Sequence, residues 1–282
     1  MLFKELNKFN NLKYNKIHFI LGKNPTTSAR SPLLWNYCFK KFKLKSVFIP
    51  VDIKKKDIKN FIYLFKKKKN YKSFLITNPY KEEILKYCDV LNSRVKLSGA
   101  SNFVIKKNNS LFAYNTDCFG FYSAIRNYLN KSFYFVYGFG GVGKAIISEL
   151  LYRNKKIYLF NRSKKKLSKL KKNKSISIVE SNTFNDFLKK SEVFINASSV
   201  GNLSLKNLNL LKDNQVKYFR NKFIYDVNFK PEKSKLLLNA DKHNIKNQNG
   251  KLMNLFQAIE AFKLSYPKFS KKKIFNTLKK LN

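Results

Sequence analysis

Short apolar runs recur along the chain, each followed by a polar or helix-spaced stretch. KIHFILG (16–22), KSVFIPV (45–51) and SFLIT (73–77) have the length and the β-branched and aromatic content of buried strands. Ser31-Pro32 opens a helical spacing from Leu33 to Lys41, because a first turn has no use for the amide that proline lacks. A further helix is expected from about Lys81 to Tyr87, and another from Phe121 to Asn130 after an Asn115-Thr116-Asp117 turn. A second series starts with SFYFVY (132–137) and continues as helix (143–153), strand KIYLF (156–160) and helix (163–172). Strands follow at ISIVE (176–180), VFINA (193–197) and KFIYDV (222–227), and two helices close the chain after Gly250. Strands alternating with helices predict an α/β protein, and the second sheet should be mostly parallel.

The length of 282 residues and a 44% hydrophobic content suit two domains with real cores. Charge changes the picture: 59 basic residues stand against 16 acidic ones, a balance that first suggests a nucleic-acid or membrane partner. Only six of the basic residues are arginine, however, and the lysine runs at 54–56, 66–69, 164–166 and 271–273 are scattered over the chain. Planar recognition of phosphates and base edges recruits arginine, so the excess reads as solvated surface. Abundant Asn, Ile, Phe and Tyr with scarce Gly and Pro fit an AT-driven codon usage. Cys38, Cys88 and Cys118 are odd in number with no CxxC spacing, so no disulfide framework or zinc ribbon is indicated and a reducing cytoplasm is the default. The N-terminus shows neither signal-peptide nor transit-peptide character, and no run of 18 apolar residues occurs. His18 and His243 stand alone, without metal-ligand spacing, so no metal site is expected.

Gly138, Gly140 and Gly143 form GxGxxG between the strand ending at Tyr137 and the following helix, the context in which this motif binds a dinucleotide. The first glycine permits the tight turn, the second admits the pyrophosphate and the third lets the helix pack on the strand. At the end of the next strand an NAD enzyme would place Asp or Glu. This chain has Asn161-Arg162-Ser163, and Arg162 suits a 2′-phosphate, which favours NADP. Reduction of a ketone with such a cofactor also needs a proton, and without a usable histidine the available donor is a lysine paired with an aspartate. Lys81, after TNPY, and Asp117, in NTDCFG, both lie in turn-like contexts, although any one lysine among so many is ordinarily surface charge.

Taken in order, NPTTSARSP (24–32), LITNPYK (75–81), GASN (99–102), NTDCFG (115–120), GFGGVGKA (138–145), NRS (161–163), INASSVG (195–201), YDVNFKP (225–231) and LMNLFQAIEAF (252–262) resemble the shikimate dehydrogenase family, the NADP-dependent shikimate 5-dehydrogenases. The resemblance runs from about residue 17 to the C-terminus. It implies a substrate-binding catalytic domain (about 1–120, completed by 250–282) and a Rossmann dinucleotide-binding domain (about 121–249), with the active site in the cleft between them and the C-terminal helices returning to the first. It further implies NADPH-dependent reduction of 3-dehydroshikimate in aromatic amino acid biosynthesis, by a cytoplasmic oxidoreductase.

By the same resemblance Lys81 and Asp117 are the catalytic pair, with Lys81 as proton relay. Ser31, Thr77, Asn102, Phe229 and Gln257 complete the substrate site. Gly138, Phe139, Gly140, Gly141, Val142, Asn161, Arg162, Ser163, Lys164, Lys165, Lys166, Val227 and Gly250 match the cofactor segments. Four positions depart from the family pattern. Ala29 replaces a carboxylate-binding serine, Leu75 an asparagine, Phe229 a tyrosine and Ser28 a histidine, with Arg30 adjacent as a candidate to compensate for Ala29. Partners expected are the small-molecule substrate and, as an allowed assembly, a homodimer, with neither specific nucleic acid nor membrane. Two rival readings remain: a member that prefers quinate or accepts NAD, and a non-catalytic binding protein of the same fold.

Overall fold

The computed structural model describes residues 14–163, 167, 170 and 173–281. The chain is α/β and divides into two units, the first running through Thr116 and resuming at Gln257, the second spanning Asp117–Phe256.

The first unit is built on strands β1 (Lys16–Gly22), β2 (Ser46–Asp52), β3 (Tyr71–Ile76), β4 (Val90–Leu91), β5 (Phe103–Lys107) and β6 (Ser110–Tyr114), in the order β2-β1-β3-β5-β6-β4. β2, β1 and β3 are mutually parallel, whereas β5 runs antiparallel to β3 and to β6, so the sheet is mixed. Helices α1 (Pro25–Ser28), α2 (Ser31–Lys41), α3 (Ile58–Lys67) and α4 (Ser93–Ser98) intervene. Asn36 of α2 pins the edge strand: its amide donates to the Phe48 carbonyl (3.0 Å) and accepts from the Phe48 amide (2.9 Å). The free carbonyls ending α3 take the Lys106 ammonium, which donates to Phe65 (2.8 Å) and Lys68 (2.7 Å). Burial and neighbouring Lys72 hold that ammonium's pKa down to about 8.

The second unit holds β7 (Phe133–Tyr137), β8 (Lys156–Phe160), β9 (Ile176–Ile178), β10 (Val193–Asn196), β11 (Phe223–Asp226) and β12 (Lys246–Asn249). Their order is β12-β11-β10-β7-β8-β9 and every pairing is parallel, the doubly wound arrangement that reverses direction between β7 and β10. One face packs Tyr134, Val136, Ile157 and Ile195 against Ile146, Ile147 and Leu150 of helix α6 (Gly141–Tyr152), which follows α5 (Thr116–Ile125). The other face packs Phe135, Phe194 and Ile224 beneath α7 (Phe184–Lys190), α8 (Asp213–Val216) and α9 (Lys235–Lys242). Two helices, α10 (Lys251–Ser265) and α11 (Lys271–Leu278), end the chain.

Three expectations shift. The helix expected at 81–87 is a five-residue 3-10 turn, Glu83–Tyr87, closed by bonds three residues back, from the Leu85 amide to Glu82 and from the Cys88 amide to Leu85 (both 3.3 Å). The helix expected from Phe121 begins five residues earlier, at Thr116, whose amide is captured by the Asn102 side chain at 2.7 Å; Asp117 therefore sits in a first helical turn and not in a loop. Most of the helix expected at 163–172 lies outside the described residues.

The first unit carries a buried histidine, His18 on β1, fully enclosed by Trp35, Phe39 and Tyr266. Its two ring nitrogens meet Ser73 Oγ (2.7 Å) and the Tyr266 hydroxyl (2.9 Å). Two neutral partners and no carboxylate leave the charged form unsupported, and burial pushes its pKa down to about 3. A folded-state pKa below the unfolded value means that stability is full above about pH 6.5 and declines as the pH falls toward about 3. Urea unfolding should therefore lose about 1.4 kcal/mol from this group between about pH 7.5 and about pH 5.5, and His18→Gln should remove that increment. Equal pH slopes in the two proteins would show that His18 is not the titrating group.

Candidate active site and cofactor loop

In the first unit, the segment after β3 is folded tightly against its neighbours. The Thr77 amide donates to Leu21 (2.8 Å), the Thr77 carbonyl accepts from Tyr80 (3.2 Å), and the Asn78-Pro79 peptide is cis. The Lys81 carbonyl then receives the Ser101 amide at 2.8 Å, so the GASN segment fixes the backbone of the expected proton relay. Lys81 is 8% exposed, and among the described residues it is the one buried lysine. Long ammonium side chains reach water at little cost and do so throughout this surface, so a buried one needs a reason.

Asn102 joins several elements. Its backbone accepts from Ile76 (2.8 Å) and donates to Tyr114 (3.2 Å), at the ends of β3 and β6. Its side chain accepts from the Thr116 amide (2.7 Å) and donates to Thr116 Oγ1 (2.9 Å) and Gln257 Oε1 (3.4 Å). Asn102, Thr116 and Gln257 are all buried. Asp117 follows Thr116 directly and is 7% exposed, in a first helical turn whose dipole favours a carboxylate. Thr116 was not expected from the sequence to take part; the NTD run held the signal, since a threonine before an aspartate at a strand end is a ready helix start.

Ser31 is the first residue of α2 and is buried. The departures from the family pattern have local explanations. Leu75 lies in β3, 2% exposed, between Ile20 and Phe103 in register. The Ser28 hydroxyl donates to the Asn24 carbonyl (2.6 Å), and an Arg30 guanidinium nitrogen donates to the Leu281 carbonyl (2.5 Å).

The second unit places the glycine motif where the strand order reverses. Gly138, φ +112°, lies so close to the loop after β10 that a Cβ would meet the Ala197 carbonyl oxygen at 2.9 Å. A Cβ on Gly143 would meet the Gly138 carbonyl at 2.3 Å, which is how α6 comes down onto β7. Gly140, the N-cap of α6, faces open space instead, with nothing within 4 Å of a Cβ. Two glycines are thus consumed by packing and one by clearance above a helix N-terminus, the cradle that a pyrophosphate requires.

Asn161 accepts the Phe139 amide (3.0 Å) and donates to the Ser163 carbonyl (2.9 Å), tying the glycine loop to the turn after β8. Arg162 and Ser163 are exposed there, and the Arg162 charge partly offsets the burial that raises the Tyr137 phenol. Lys164, Lys165 and Lys166 lie outside the described residues. Gly141 and Val142 form the first turn of α6, and Phe229 is half-buried after β11. Gly250 follows β12, and a Cβ there would fall 1.9 Å from the Val227 carbonyl oxygen, so these two cofactor-segment residues are in backbone contact.

A further set of buried polar residues comprises Asn196, in the INASSVG stretch that the resemblance places at the cofactor crevice, with Asp226 and Ser234, which had no assigned role. Asparagine and aspartate at the last positions of two adjacent apolar strands were the available signal. Among the described residues no three His, Cys, Asp or Glu side chains converge as a metal site, and no helix is long and apolar enough to cross a membrane.

Residues 20–104 match the family model described as the shikimate dehydrogenase substrate binding domain. The NADP(+) shikimate dehydrogenase of Pelagibacter ubique is 33% identical over 253 residues, 88% of this chain and 92% of that protein. The Aquifex aeolicus enzyme is 30% identical over 247 residues, covering 85% and 87%. Its crystal structure superposes with a TM-score of 0.82 at 26% identity, over 94% of this chain and 97% of that one. A Thermus thermophilus shikimate 5-dehydrogenase, solved with NADP(H) and shikimate, has the same fold at TM-score 0.82 and 21% identity, covering 95% and 100%. With a relative at this identity along nearly its whole length, the chain belongs to the shikimate dehydrogenase family.

Proposed function

We propose that this chain catalyses the NADPH-dependent reduction of 3-dehydroshikimate to shikimate, a step of aromatic amino acid biosynthesis. The observation that carries the reading is the burial of Lys81, the single lysine so placed among the described residues, at the position the family uses for proton transfer. NADPH, when bound, supplies the hydride. Ser31, Thr77, Asn102 and Gln257 hold the substrate's hydroxyl and carboxylate oxygens, and Asn102 and Gln257 are already oriented by their bonds to each other and to Thr116. Lys81 gives its Nζ proton to the carbonyl oxygen as charge develops there, while Asp117 orients the neighbouring hydroxyl. Phe229 contributes a ring edge where other members offer a phenol. On the cofactor side, Gly138 to Val142 take the pyrophosphate, Asn161 to Lys166 the 2′-phosphate, and Val227 with Gly250 the nicotinamide end.

A second reading concerns cofactor choice. A family structure from Listeria monocytogenes was solved with shikimate and NAD, so the fold admits either dinucleotide. Arg162 in place of an acidic residue supports NADP here.

Three outcomes test the reading. NADPH oxidation followed at 340 nm with 3-dehydroshikimate should fall about a thousandfold in Lys81→Ala with the fold intact, and a native protein inactive with both cofactors and with quinate would dispose of it. Arg162→Ala should raise KM for NADPH about tenfold and leave KM for NADH nearly unchanged; a parallel rise in both would remove Arg162 from 2′-phosphate recognition. Ala29→Ser should lower KM for the substrate up to about tenfold by restoring a hydroxyl to the carboxylate loop, and an unchanged KM would mean that the carboxylate is held elsewhere.

A further inference from the structure

Asp226 ends β11 with its side chain wholly buried, and its register partner across the sheet is Asn196, which ends β10. Oδ1 accepts from Asn196 Nδ2 (3.0 Å), from the Asn228 amide (2.9 Å) and from Asn228 Nδ2 (2.9 Å). Oδ2 accepts from Ser234 Oγ at 2.6 Å. Burial pushes this carboxyl above the ordinary range, and the donors of Ser234, Asn228 and Asn196 pull it back. A carboxyl in so dry a place needs partners on both oxygens, and here they come from the end of β10 (Asn196), the turn after β11 (Asn228) and the start of α9 (Ser234).

The bonds radiate outward from there. Asn196 Oδ1 accepts the Ser198 amide (3.0 Å) and hydroxyl (2.7 Å). Asn228 Nδ2 also donates to the carbonyls of Ser198 (3.1 Å) and Val200 (2.9 Å), and the Asn228 carbonyl accepts the Gly250 amide (3.1 Å). One carboxylate therefore fixes the turns after β10 and β11 and, through Asn228, the turn after β12. These turns carry Ala197, against which Gly138 packs, and Val227, against which Gly250 packs.

The geometry points to Asp226 as a positioning residue for the nicotinamide half of the cofactor site, acting through Asn196 and Asn228 on the backbone of Ala197, Val227 and Gly250. It touches neither cofactor nor substrate. The adenosine half, assigned above to Asn161 and Arg162 after β8, is tied to the glycine loop by a separate bond from the Phe139 amide to Asn161, outside the bonds that radiate from Asp226. The inference rests on the NADP reading above and adds a division of labour within it.

Calorimetric titration of the full chain with NADPH and, separately, with adenosine 2′,5′-bisphosphate, which represents the adenosine half alone, tests this division. Asp226→Ala should raise the NADPH Kd about tenfold or more and leave the bisphosphate Kd within about twofold. Asp226→Asn, which keeps an acceptor toward Asn196 and Asn228, should recover most of the loss. Should Asp226→Ala not fold, Asn228→Ala should give a smaller loss in the same direction, since it removes the Nδ2 bonds to Asp226, Ser198 and Val200 and leaves Asn196 and Ser234 bound to the carboxyl. Equal weakening of both ligands would reduce Asp226 to support of the whole unit, and no change in either would show that the turns hold without it; both outcomes overturn the proposal. A native chain that binds the bisphosphate but not NADPH also overturns it, whereas failure to bind either ligand defeats the cofactor reading itself.

Discussion

A parallel strand that ends inside a protein leaves backbone groups without ladder partners at a point where water does not reach, and something polar must meet them. Both units of this chain are organised by that constraint. In the second, Asn196 and Asp226 stand side by side at the ends of β10 and β11 and bond to the turns that follow. In the first, Asn102 takes up the ends of β3 and β6 with its backbone and begins α5 with its side chain. The buried asparagines and the aspartate are therefore, in each unit separately, the structural consequence of stopping strands at one edge of its own sheet. That edge, with its converging polar groups and turns of fixed shape, is also where an α/β sheet binds ligands.

The charge of the chain, formally +43, contributes little to this arrangement. Its ion pairs are mostly exposed, as between Lys66 and Asp89 or Lys86 and Glu83, where solvent screening leaves each worth little. Buried charge is confined to a few places. Glu149 on α6 is matched by Arg153 one turn on (2.9 Å), whose guanidinium lies 3.9 Å from the centre of the Tyr122 ring, a helix-surface arrangement with its own structural purpose. Beyond that pair, the buried charged residues among those described are Lys81 and Asp117, the expected catalytic pair, and Asp226, the positioning residue proposed above. Burial separates functional from compositional charge in a way that counting lysines does not.

Legibility followed the range of the interactions. β1 and β8 fall on the residues where apolar runs stood, because a buried strand needs only its own side chains to declare itself. β12, KNQN, is a polar edge strand whose pairing with β11 leaves no hydrophobic trace. The β5–β6 hairpin did have a local sign, since Asn108 and Asn109 both take positive φ in the tight turn, +46° and +63°, as such a turn demands. The start of α5 had a local sign in the NTD run, but what fixes it at Thr116 is the side chain of Asn102, fourteen residues away. Lys81 and the glycines stand out through motif and context, whereas the NTDCFG, INASSVG and YDVNFKP stretches stand out without revealing the bonds of Thr116, Asn196 and Asp226, which depend on strand ends distant in sequence.

The substrate-side departures make sense in the same physical terms. A hydroxyl or guanidinium near a ligand loop is available to a ligand only if the fold has not already engaged it. The Ser28 hydroxyl is engaged by Asn24, Arg30 donates to the Leu281 carbonyl, and the Asp52 carboxylate binds the Thr26 amide (3.1 Å) and hydroxyl (2.5 Å), holding the start of α1 in place. Leu75 has joined the hydrophobic interior, where an asparagine would need partners that Ile20 and Phe103 do not provide. The polar groups of the loop preceding α2 are thus engaged within it and by Asp52 and Leu281, and Ser31 lies buried at the start of that helix. Under the proposed function, alanine at position 29 would remove one contact to the substrate carboxylate while these bonds keep the loop in place.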